Sequence, residues 1–419
     1  MKIKQAWRLG MKDMPIFHGS RQRSQLKKPT WIIILVSLVS FFVICAYVFP
    51  SKNSAVCSLF SSRGCNKHFD WRSPTPLREL TDQEIASRVV VRDVLMNTPA
   101  VVPKSPKIAF LFLTPGALPF EKLWDRFFQG HEGKFSIYIH ASKDRPVRLS
   151  RYFVDREIRS YAVAWGKITM VDAERRLLAN ALKDPDNLHF VLLSESCIPL
   201  RDFDYIYNYL MYTNVSFVDN FSDPGVHGHG RFSEHMRPVI EKKDFQKGAQ
   251  WFTMKRQHAV IVLADYLYYS KFHDFCKVVF SPRIDLKLSD TFGVTDTIYM
   301  TRQPSKEDGY CYSDEHYLPT FFNMFDPAGI ANWSVTHVDW SEKKWHPKSY
   351  KRRDVSYELL RSIASITESV HITSEAKEEV QIRPCLWNGN ERPCYLFARK
   401  FAAETLDTLL QLFPNYTSS

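Results

Sequence analysis

A short acidic segment is the strongest candidate for chemistry in this 419-residue sequence. Residues 311–318 read CYSDEHYL, and the acids Asp314 and Glu315 open a helical pattern that continues through Phe321 and Met324. The positive end of a helix favours an ionised carboxylate, and a positioned carboxylate can take a proton from a hydroxyl as a general base. Ordinary capping of the helix by the same acids is the alternative.

Motifs for phosphate or metal chemistry are scarce. The sequence contains no GxGxxG, P-loop or GxSxG motif, and its cysteines and histidines lack the spacing of a zinc site. Asp-x-Asp triplets at residues 184–186 and 202–204 could hold Mg²⁺ or Mn²⁺ against a nucleotide diphosphate. However, the first lies in a turn before a strand, and the second begins a helix, where Asp is an ordinary first-turn residue. We therefore expect no metal and no cofactor.

Strand and helix patterns alternate along the part of the chain that must position these residues. Apolar or alternating runs predict strands at residues 107–114, 135–140, 188–194, 215–219 and 250–254. Helical spacing of apolar residues predicts helices at residues 118–129, 168–182, 203–212, 257–270 and 314–325. This order is typical of an α/β sheet with helices on both faces, in which ligands bind beyond the carboxyl ends of the strands. The predicted ligand edge comprises residues 114–116, 140–142 and 194–196.

The N-terminal part of the chain has a different composition. Eight bases and one acid put +7 of the +11 formal net charge in residues 1–30, so the rest of the chain is near neutral. Residues 31–49 read WIIILVSLVSFFVICAYVF and as a helix would extend about 28 Å, close to the thickness of a bilayer core. A buried core helix and a cleaved signal peptide are the alternatives. The near-neutral body argues against a nucleic-acid partner.

This pattern predicts a type II membrane protein with four regions. They are a cytosolic basic tail (1–30), a transmembrane signal anchor (31–49), a stem (50–105) that includes one helix, and a lumenal domain (106–419).

Cysteines and glycosylation sequons agree with an oxidising lumen. Of eight cysteines, Cys45 lies in the predicted anchor, and Cys197 is our candidate for a free thiol. The remaining six are expected to form disulfides, as Cys57–Cys65, Cys276–Cys311 and Cys385–Cys394. Asn-x-Ser/Thr sequons predict glycosylation at Asn214, Asn332 and Asn415.

Segments spread over residues 107–401 resemble the Core-2/I-branching β-1,6-N-acetylglucosaminyltransferases and peptide-O-xylosyltransferases, in the plant branch of that family. In chain order the segments are KIAFLFLT, FSIYIHAS, SYAVAWGKITMVDAERRLL, FVLLSESCIPL, KGAQWFTMKR, CYSDEHYLPT and YLFARKF. The resemblance implies a GT-A-like nucleotide-sugar-binding sheet flanked by helices. It also implies an inverting transferase that uses a UDP-sugar without a metal and lies in the Golgi membrane.

The resemblance also implies roles for individual residues. Glu315 would be the base that deprotonates the acceptor hydroxyl, while Lys400 in LFARKF and Arg383 in IRPCLW would neutralise the leaving diphosphate. Arg399 is the rival of Lys400. On the donor side we expect contacts from residues near the strand ends, namely His140, Ser142 and Glu195.

Ser142 departs from the pattern of the animal relatives, which carry Asp at that position. Uridine recognition would then fall to His140 or Ser142. Trp340 in VDWS would contact the acceptor, and Trp251 in GAQWF would line the pocket, because aromatic faces stack on sugars. A core position is the alternative for both tryptophans.

The predicted function is that of a Golgi type II inverting glycosyltransferase. It would move a sugar, with N-acetylglucosamine as first choice, from UDP to a glycan hydroxyl in β-linkage. The alternatives are transfer from UDP-glucuronic acid or UDP-xylose to cell-wall polysaccharide or proteoglycan glycans, and a non-catalytic family member. The predicted partners are a UDP-sugar, a glycan or glycoprotein acceptor, the membrane through one helix, and a second copy of the chain.

Overall fold

The computed structural model describes residues 34–41, 79–96, 105–277, 310–342, 344 and 346–417. The chain divides into two units, Met1–Glu79 and Leu80–Ser419. In the first unit, the described residues include a helix over residues 34–41.

The transmembrane helix predicted for residues 31–49 is contradicted. Within the ranges that the structure describes, no helix is long and apolar enough to cross a membrane. The helix over residues 34–41 would cover only about 12 Å, against roughly 30 Å for a bilayer core. Residues 31–33 and 42–49 lie outside the described ranges. The predicted attachment to a membrane through this helix loses its support with it.

A six-stranded mixed sheet forms the centre of the second unit, in the order β2-β1-β3-β6-β5-β7. β1 pairs in parallel with β2 and β3, whereas β6 runs antiparallel to β3 and β5. β1 is apolar between Lys107 and Thr114 because it is buried on both faces of the sheet. The strands are β1 (Lys107–Thr114), β2 (Phe135–Ala141), β3 (Asn187–Ser194), β5 (Ser216–Asp219), β6 (Thr253–Lys255) and β7 (Ile330–Asn332).

Helices cover both faces of this sheet, as the sequence predicts. Alternate residues of β1 enter two hydrophobic cores: Phe110 and Phe112 face one core, and Leu111 and Leu113 face the other. The first core takes residues from α2 (Glu121–Phe128), α4 (Phe203–Met211), α8 (Tyr357–Ala364) and α9 (Leu406–Thr417). The second takes residues from α1 (Asp82–Met96), α3 (Thr169–Ala181), α5 (Arg256–Ala264), α6 (Leu267–Phe275) and α7 (Ser313–Phe325).

The helix predicted for residues 257–270 is two helices, α5 and α6. Asp265 ends α5, and its carboxylate accepts hydrogen bonds from the amides of Tyr268 and Tyr269 at 3.0 and 2.9 Å. An acid that satisfies the first amides of a new helix favours a break at that point.

Helix α1, which the sequence places in the stem, belongs to the second unit. Asp82 pairs with Arg176 of α3, and Asp93 pairs with Arg256 of α5. Arg92 adds a hydrogen bond of 3.0 Å to the carbonyl of Leu182. These contacts extend the folded unit to Leu80, ahead of the predicted boundary at residue 106.

Small sheets in the C-terminal third complete the unit. One has the order β4-β13-β8, and β9 and β11 form two-stranded sheets with β10 and β12. The strands are β4 (Ile198–Pro199), β8 (Thr336–Val338), β9 (Glu368–Ile372), β10 (Val380–Pro384), β11 (Leu386–Trp387), β12 (Asn390–Glu391) and β13 (Phe397–Arg399). β13 brings the LFARKF segment beside the chain that leaves β3.

Two of the three expected disulfides are present, Cys276–Cys311 and Cys385–Cys394. Cys197 is a free, buried cysteine, as expected. Cys57 and Cys65 lie outside the described residues.

Candidate active site

The first turn of α7 carries Glu315 and is packed against the end of β5. The amide of Gly248 donates to the carbonyl of Glu315 at 3.0 Å. A side chain at Gly248 would have its Cβ 2.0 Å from the carbonyl oxygen of Asp219, so only glycine allows this approach. On the other side, the Ser313 hydroxyl donates to the carbonyl of Cys276, next to the Cys276–Cys311 disulfide. The position of Glu315 is therefore fixed by backbone contacts from two other segments.

The carboxylate of Glu315 forms an ion pair with a buried arginine. Arg231 Nη1 donates to Glu315 Oε2 at 2.6 Å, and the Arg231 side chain is 7% exposed against 27% for Glu315. The guanidinium carbon of Arg231 lies 4.5 and 5.3 Å from the ring centroids of Tyr312 and Tyr310. Cation–π contacts and the ion pair together hold the guanidinium in place. Glu315 is thus oriented by Arg231 and still reachable from solvent.

His316 contacts the same guanidinium. Its Nδ1 lies 2.7 Å from the carbonyl oxygen of Gln246, which can only accept, so Nδ1 carries the proton. Burial and then the charge of Arg231 lower the pKa of His316 well below its usual value, so the ring is neutral. Its Nε2, 3.3 Å from Arg231 Nη1, is therefore an acceptor. We call Glu315, Arg231, His316, Tyr310 and Tyr312 the base group.

Two buried acids lie near the base group. Burial and then the charge of Glu315 raise the pKa of Asp314 to about 7. Burial raises the pKa of Glu174 well above its usual range, and Gln250 Nε2 donates to Glu174 Oε1 at 2.8 Å. Near neutral pH, Asp314 is therefore partly protonated. Glu315 is the acid of this region that is bonded to Arg231.

A tight glycine loop delivers Arg231 to this position. A Cβ on Gly228 would lie 1.9 Å from the carbonyl oxygen of Asp223, and one on Gly225 would lie 2.3 Å from the carbonyl carbon of Ser374. The amide of His227 donates to Ser374 Oγ at 2.8 Å, and its Nδ1 lies 3.0 Å from the hydroxyl of Tyr310. Gly225 and Gly228, in the segment GVHGHG that precedes Arg231, therefore serve close packing of the loop.

A second cluster forms where β13 meets the end of β3. The amide of Phe401 donates to the carbonyl of Ser196 at 3.1 Å, which holds Lys400 beside the turn after β3. The guanidinium of Arg399 lies 4.2 Å from the ring of Trp251, which is almost fully buried. Burial lowers the pKa of Arg399, and the charge of Glu195 acts in the opposite direction. We call Arg399, Lys400, Trp251 and Glu195 the cation group.

A short stretch of chain joins the two groups. Gly248 is bonded to Glu315, and Trp251, only three residues later, packs against Arg399. Three residues of extended chain span at most about 11 Å. The base group and the cation group therefore contact the two ends of one short segment, residues 248–251.

The predicted acceptor residue Trp340 lies near the cation group. β8 and β13 are parallel with Val338 beside Arg399, so Trp340 and Lys400 both follow the same ends of neighbouring strands. Trp340 is 50% exposed, which leaves its ring available to a ligand. Trp251 is buried, and its ring packs against the guanidinium of Arg399.

Arg383 lies apart from these clusters on β10. It is exposed, and its carbonyl accepts a hydrogen bond of 3.4 Å from Ser369 Oγ on β9. The structure therefore does not bring Arg383 into contact with either group.

His140 and Ser142 differ in their access to a ligand. His140 is fully buried, and its Nε2 lies 3.0 Å from Arg176 Nη1 and 3.3 Å from the amide of Tyr161. Burial, followed by the charge of Arg176, lowers the pKa of His140 to about 4. The imidazole is thus neutral and engaged in protein contacts. Ser142 is half-buried, and its amide donates to the carbonyl of Thr114 at 2.9 Å, which places it at the predicted ligand edge.

The Asp-x-Asp triplets have structural contacts. Asp184 pairs with Lys107 at 2.9 Å, and Asp202 accepts from the amide of Tyr205 at 2.7 Å as the N-cap of α4. Asp204 pairs with Lys134 at 3.1 Å. Each of these three acids therefore has a partner within the protein.

The three sequons differ in exposure. Asn214 and Asn415 are exposed, whereas Asn332 is half-buried and accepts a hydrogen bond of 3.0 Å from Asn220.

The sequence does not reveal the roles of Arg231 and His316. Arg231 is buried against α7, and His316, on α7, is buried against Gln246 and Arg231. No local pattern signals either burial.

Comparison with known proteins agrees with this geometry. Residues 108–364 match the family model described as Core-2/I-Branching enzyme, which covers more than half of the chain and includes the base group. A curated protein of Oryza sativa subsp. japonica, named Glycosyltransferase BC10, is 35% identical over 329 residues. That similarity covers 74% of this chain and 77% of the rice protein. The chain therefore belongs to the Core-2/I-branching enzyme family and is a glycosyltransferase.

Proposed function

We propose that this enzyme transfers a sugar, with N-acetylglucosamine as first choice, from UDP to a glycan hydroxyl with inversion, and that Glu315 is its general base. The observation that carries the proposal is the ion pair between Glu315 and the buried Arg231 at the start of α7. It leaves a carboxylate oriented and accessible, as a general base requires.

The chemistry is a single displacement. The acceptor hydroxyl gives its proton to the Glu315 carboxylate while its oxygen bonds to the anomeric carbon. The bond from that carbon to the phosphate oxygen breaks on the opposite face, and the electron pair leaves with UDP. Attack opposite an α-linked leaving group produces a β-linkage.

Lys400 is the proposed partner of the leaving diphosphate. The developing negative charge needs a fixed positive group, and no metal is invoked for it. Arg399 and Lys400 are both half-buried, but the guanidinium of Arg399 is stacked on Trp251, so we assign Arg399 to the positioning of that ring. Lys400 is half-buried beside the turn after β3, where it can reach a ligand. Arg383 is proposed as a second, more distant cation.

The proposed location is the lumen of the Golgi. Disulfides form and persist in oxidising compartments, and Cys276–Cys311 and Cys385–Cys394 are both bonded. Exposed sequons at Asn214 and Asn415 suit the same compartment.

The direct test is a screen of UDP-sugars with the purified full chain in excess EDTA. Each donor is incubated with p-nitrophenyl glycosides of galactose, N-acetylgalactosamine and xylose, and released UDP and glycoside products are measured. We expect one donor, with UDP-N-acetylglucosamine first, to give a β-linked product at an undiminished rate in EDTA. A strict metal requirement, or an α-linked product, would contradict the proposal. Preference for UDP-glucuronic acid or UDP-xylose would correct the donor and leave the mechanism intact.

A further inference from the structure

Trp165 is an exposed tryptophan beside the base group. It is 55% exposed, and its ring centroid lies 4.9 Å from that of Tyr312. A large aromatic side chain that is held in place but left half open to solvent is a suitable contact for a ligand with an apolar face.

A tight turn holds Trp165 in this position. The amide of Lys167 donates to the carbonyl of Ala164 at 3.1 Å, and Gly166 has φ +71°. A turn closed in this way, with positive φ at its third residue, is a type II turn, and it places Trp165 at the exposed second position. The hydroxyl of Thr169 accepts from the amide of Ala164 at 3.0 Å and ties the turn to the start of α3. The orientation of the indole is thus set by the backbone as well as by Tyr312.

Three consecutive contacts connect Trp165 to Glu315. Tyr312 lies between the indole and the guanidinium of Arg231, which is 4.5 Å from the Tyr312 ring and bonded to Glu315 at 2.6 Å. Trp165 is therefore on the side of the site that the base occupies. The cation group, which is proposed to meet the donor diphosphate, lies at the other end of the Gly248–Trp251 segment.

We infer that Trp165 binds the acceptor glycan by stacking its exposed indole face on the apolar face of the sugar ring next to the one that carries the attacking hydroxyl. The inference rests on the proposed function, because it takes Glu315 to be the group that meets the acceptor hydroxyl. It adds a subsite: the enzyme recognises an acceptor of at least two sugar units.

The test compares acceptors of one and two sugar units in the wild-type enzyme, Trp165→Ala and Trp165→Phe. The acceptors are the p-nitrophenyl glycosides of the preferred monosaccharide and of a disaccharide that contains it. The wild-type enzyme should show a lower KM for the disaccharide, and Trp165→Ala should raise that KM about tenfold or more with little change in kcat. Its KM for the monosaccharide should change little. Trp165→Phe should recover part of the preference.

Controls separate a binding role from a structural one. Tyr266→Ala removes another exposed aromatic residue, 68% exposed, and should leave the disaccharide preference unchanged. Hydrolysis of the donor without acceptor should be the same in all four proteins. If Trp165→Ala does not fold, Trp165→Phe is the test. A disaccharide KM above that of the wild-type enzyme would support the inference, and an equal KM would overturn it.

The failure of this inference differs from the failure of the proposed function. An unchanged disaccharide KM in the Trp165 variants of an active enzyme would overturn the Trp165 assignment alone. If the wild-type enzyme neither transfers nor hydrolyses any UDP-sugar, the proposed function fails, and this assignment fails with it.

Discussion

The base group and the cation group are built in different ways. In the base group, Arg231 is bonded to Glu315, covered by two tyrosine rings and supported by His316, so the orientation of the carboxylate is determined before any ligand binds. In the cation group, Arg399 is stacked on Trp251, whereas Lys400 is half-buried beside the turn after β3 and Arg383 lies exposed on β10. Proton transfer demands precise geometry, whereas attraction between a lysine and a diphosphate tolerates variation in position.

This comparison predicts that the largest fall in activity comes from a variant in which Arg231 no longer orients the Glu315 carboxylate. Arg231→Met should leave the Glu315 carboxylate in place but unheld, and misplacement of a catalytic group by about 1 Å can cost on the order of 100-fold in rate. We therefore expect kcat to fall by about 100-fold, with the thermal shift produced by UDP retained. Arg231→Lys should be intermediate, because it keeps the charge and loses the planar fork.

The matched control for this variant is Arg237→Met. Arg237 pairs with Glu234 on the surface at 3.1 Å, and such exposed pairs contribute little to the stability of a protein. Equal effects of Arg231→Met and Arg237→Met on kcat would remove the claim that the base group is preorganised.

The second prediction distinguishes the roles of the adjacent cations Arg399 and Lys400. Lys400→Ala should lower kcat/KM for the donor by about 10- to 100-fold and weaken UDP binding, because it removes the charge that we propose faces the diphosphate. Arg399→Ala should chiefly lower the melting temperature, because it uncovers the buried Trp251. Calorimetric titration with UDP and thermal unfolding of both variants provide the measurements. A loss of UDP binding in Arg399→Ala, with normal binding in Lys400→Ala, would exchange the two roles.

The third prediction concerns stability and pH. The pKa of Asp314 is raised to about 7 in the folded protein by burial and then by Glu315, from an ordinary value of 3.8. The folded state therefore holds a proton that the unfolded state releases, so the Asp314 contribution to stability declines as pH rises from about 4 to 7. Asp314→Asn removes this loss. Its stability relative to wild type should increase over that range by on the order of a few kcal/mol and then level off.

Denaturant unfolding at a series of pH values measures this difference, with the exposed Asp407→Asn as control. A constant difference between Asp314→Asn and wild type across the range would show that Asp314 is not a buried, protonated acid.

Much of the fold could be predicted from the sequence because apolar periodicity reports burial directly. The strands β1 and β3 and the helix α7 follow from their patterns, and the α/β arrangement follows from their order. The short strands β8, β10 and β13 could not be found, since a run of three to five residues that pairs with a distant segment has no local signature. The membrane-spanning helix predicted for residues 31–49 is contradicted, since the described residues include no helix of sufficient length.

The site was only partly predictable, for a related reason. Glu315 is predicted as the base because its segment resembles a family motif, and the bonded Cys311 lies four residues before it. His140 was expected at the ligand edge, yet the side chains of a strand alternate, and its imidazole is buried against Arg176 of α3. Arg231 is distant in sequence from Glu315, and only the folded chain shows that the two are paired.

The identity of the base is tested most directly by Glu315→Gln, a change that keeps the shape of the side chain and removes its basicity. Transfer to the acceptor and the thermal shift produced by UDP are measured in this variant and in Glu234→Gln, a control with an exposed acid. The account predicts that Glu315→Gln loses transfer by at least about 100-fold while its response to UDP and its fold remain, and that Glu234→Gln behaves as wild type. Transfer by Glu315→Gln at a rate within a few-fold of wild type would contradict the account.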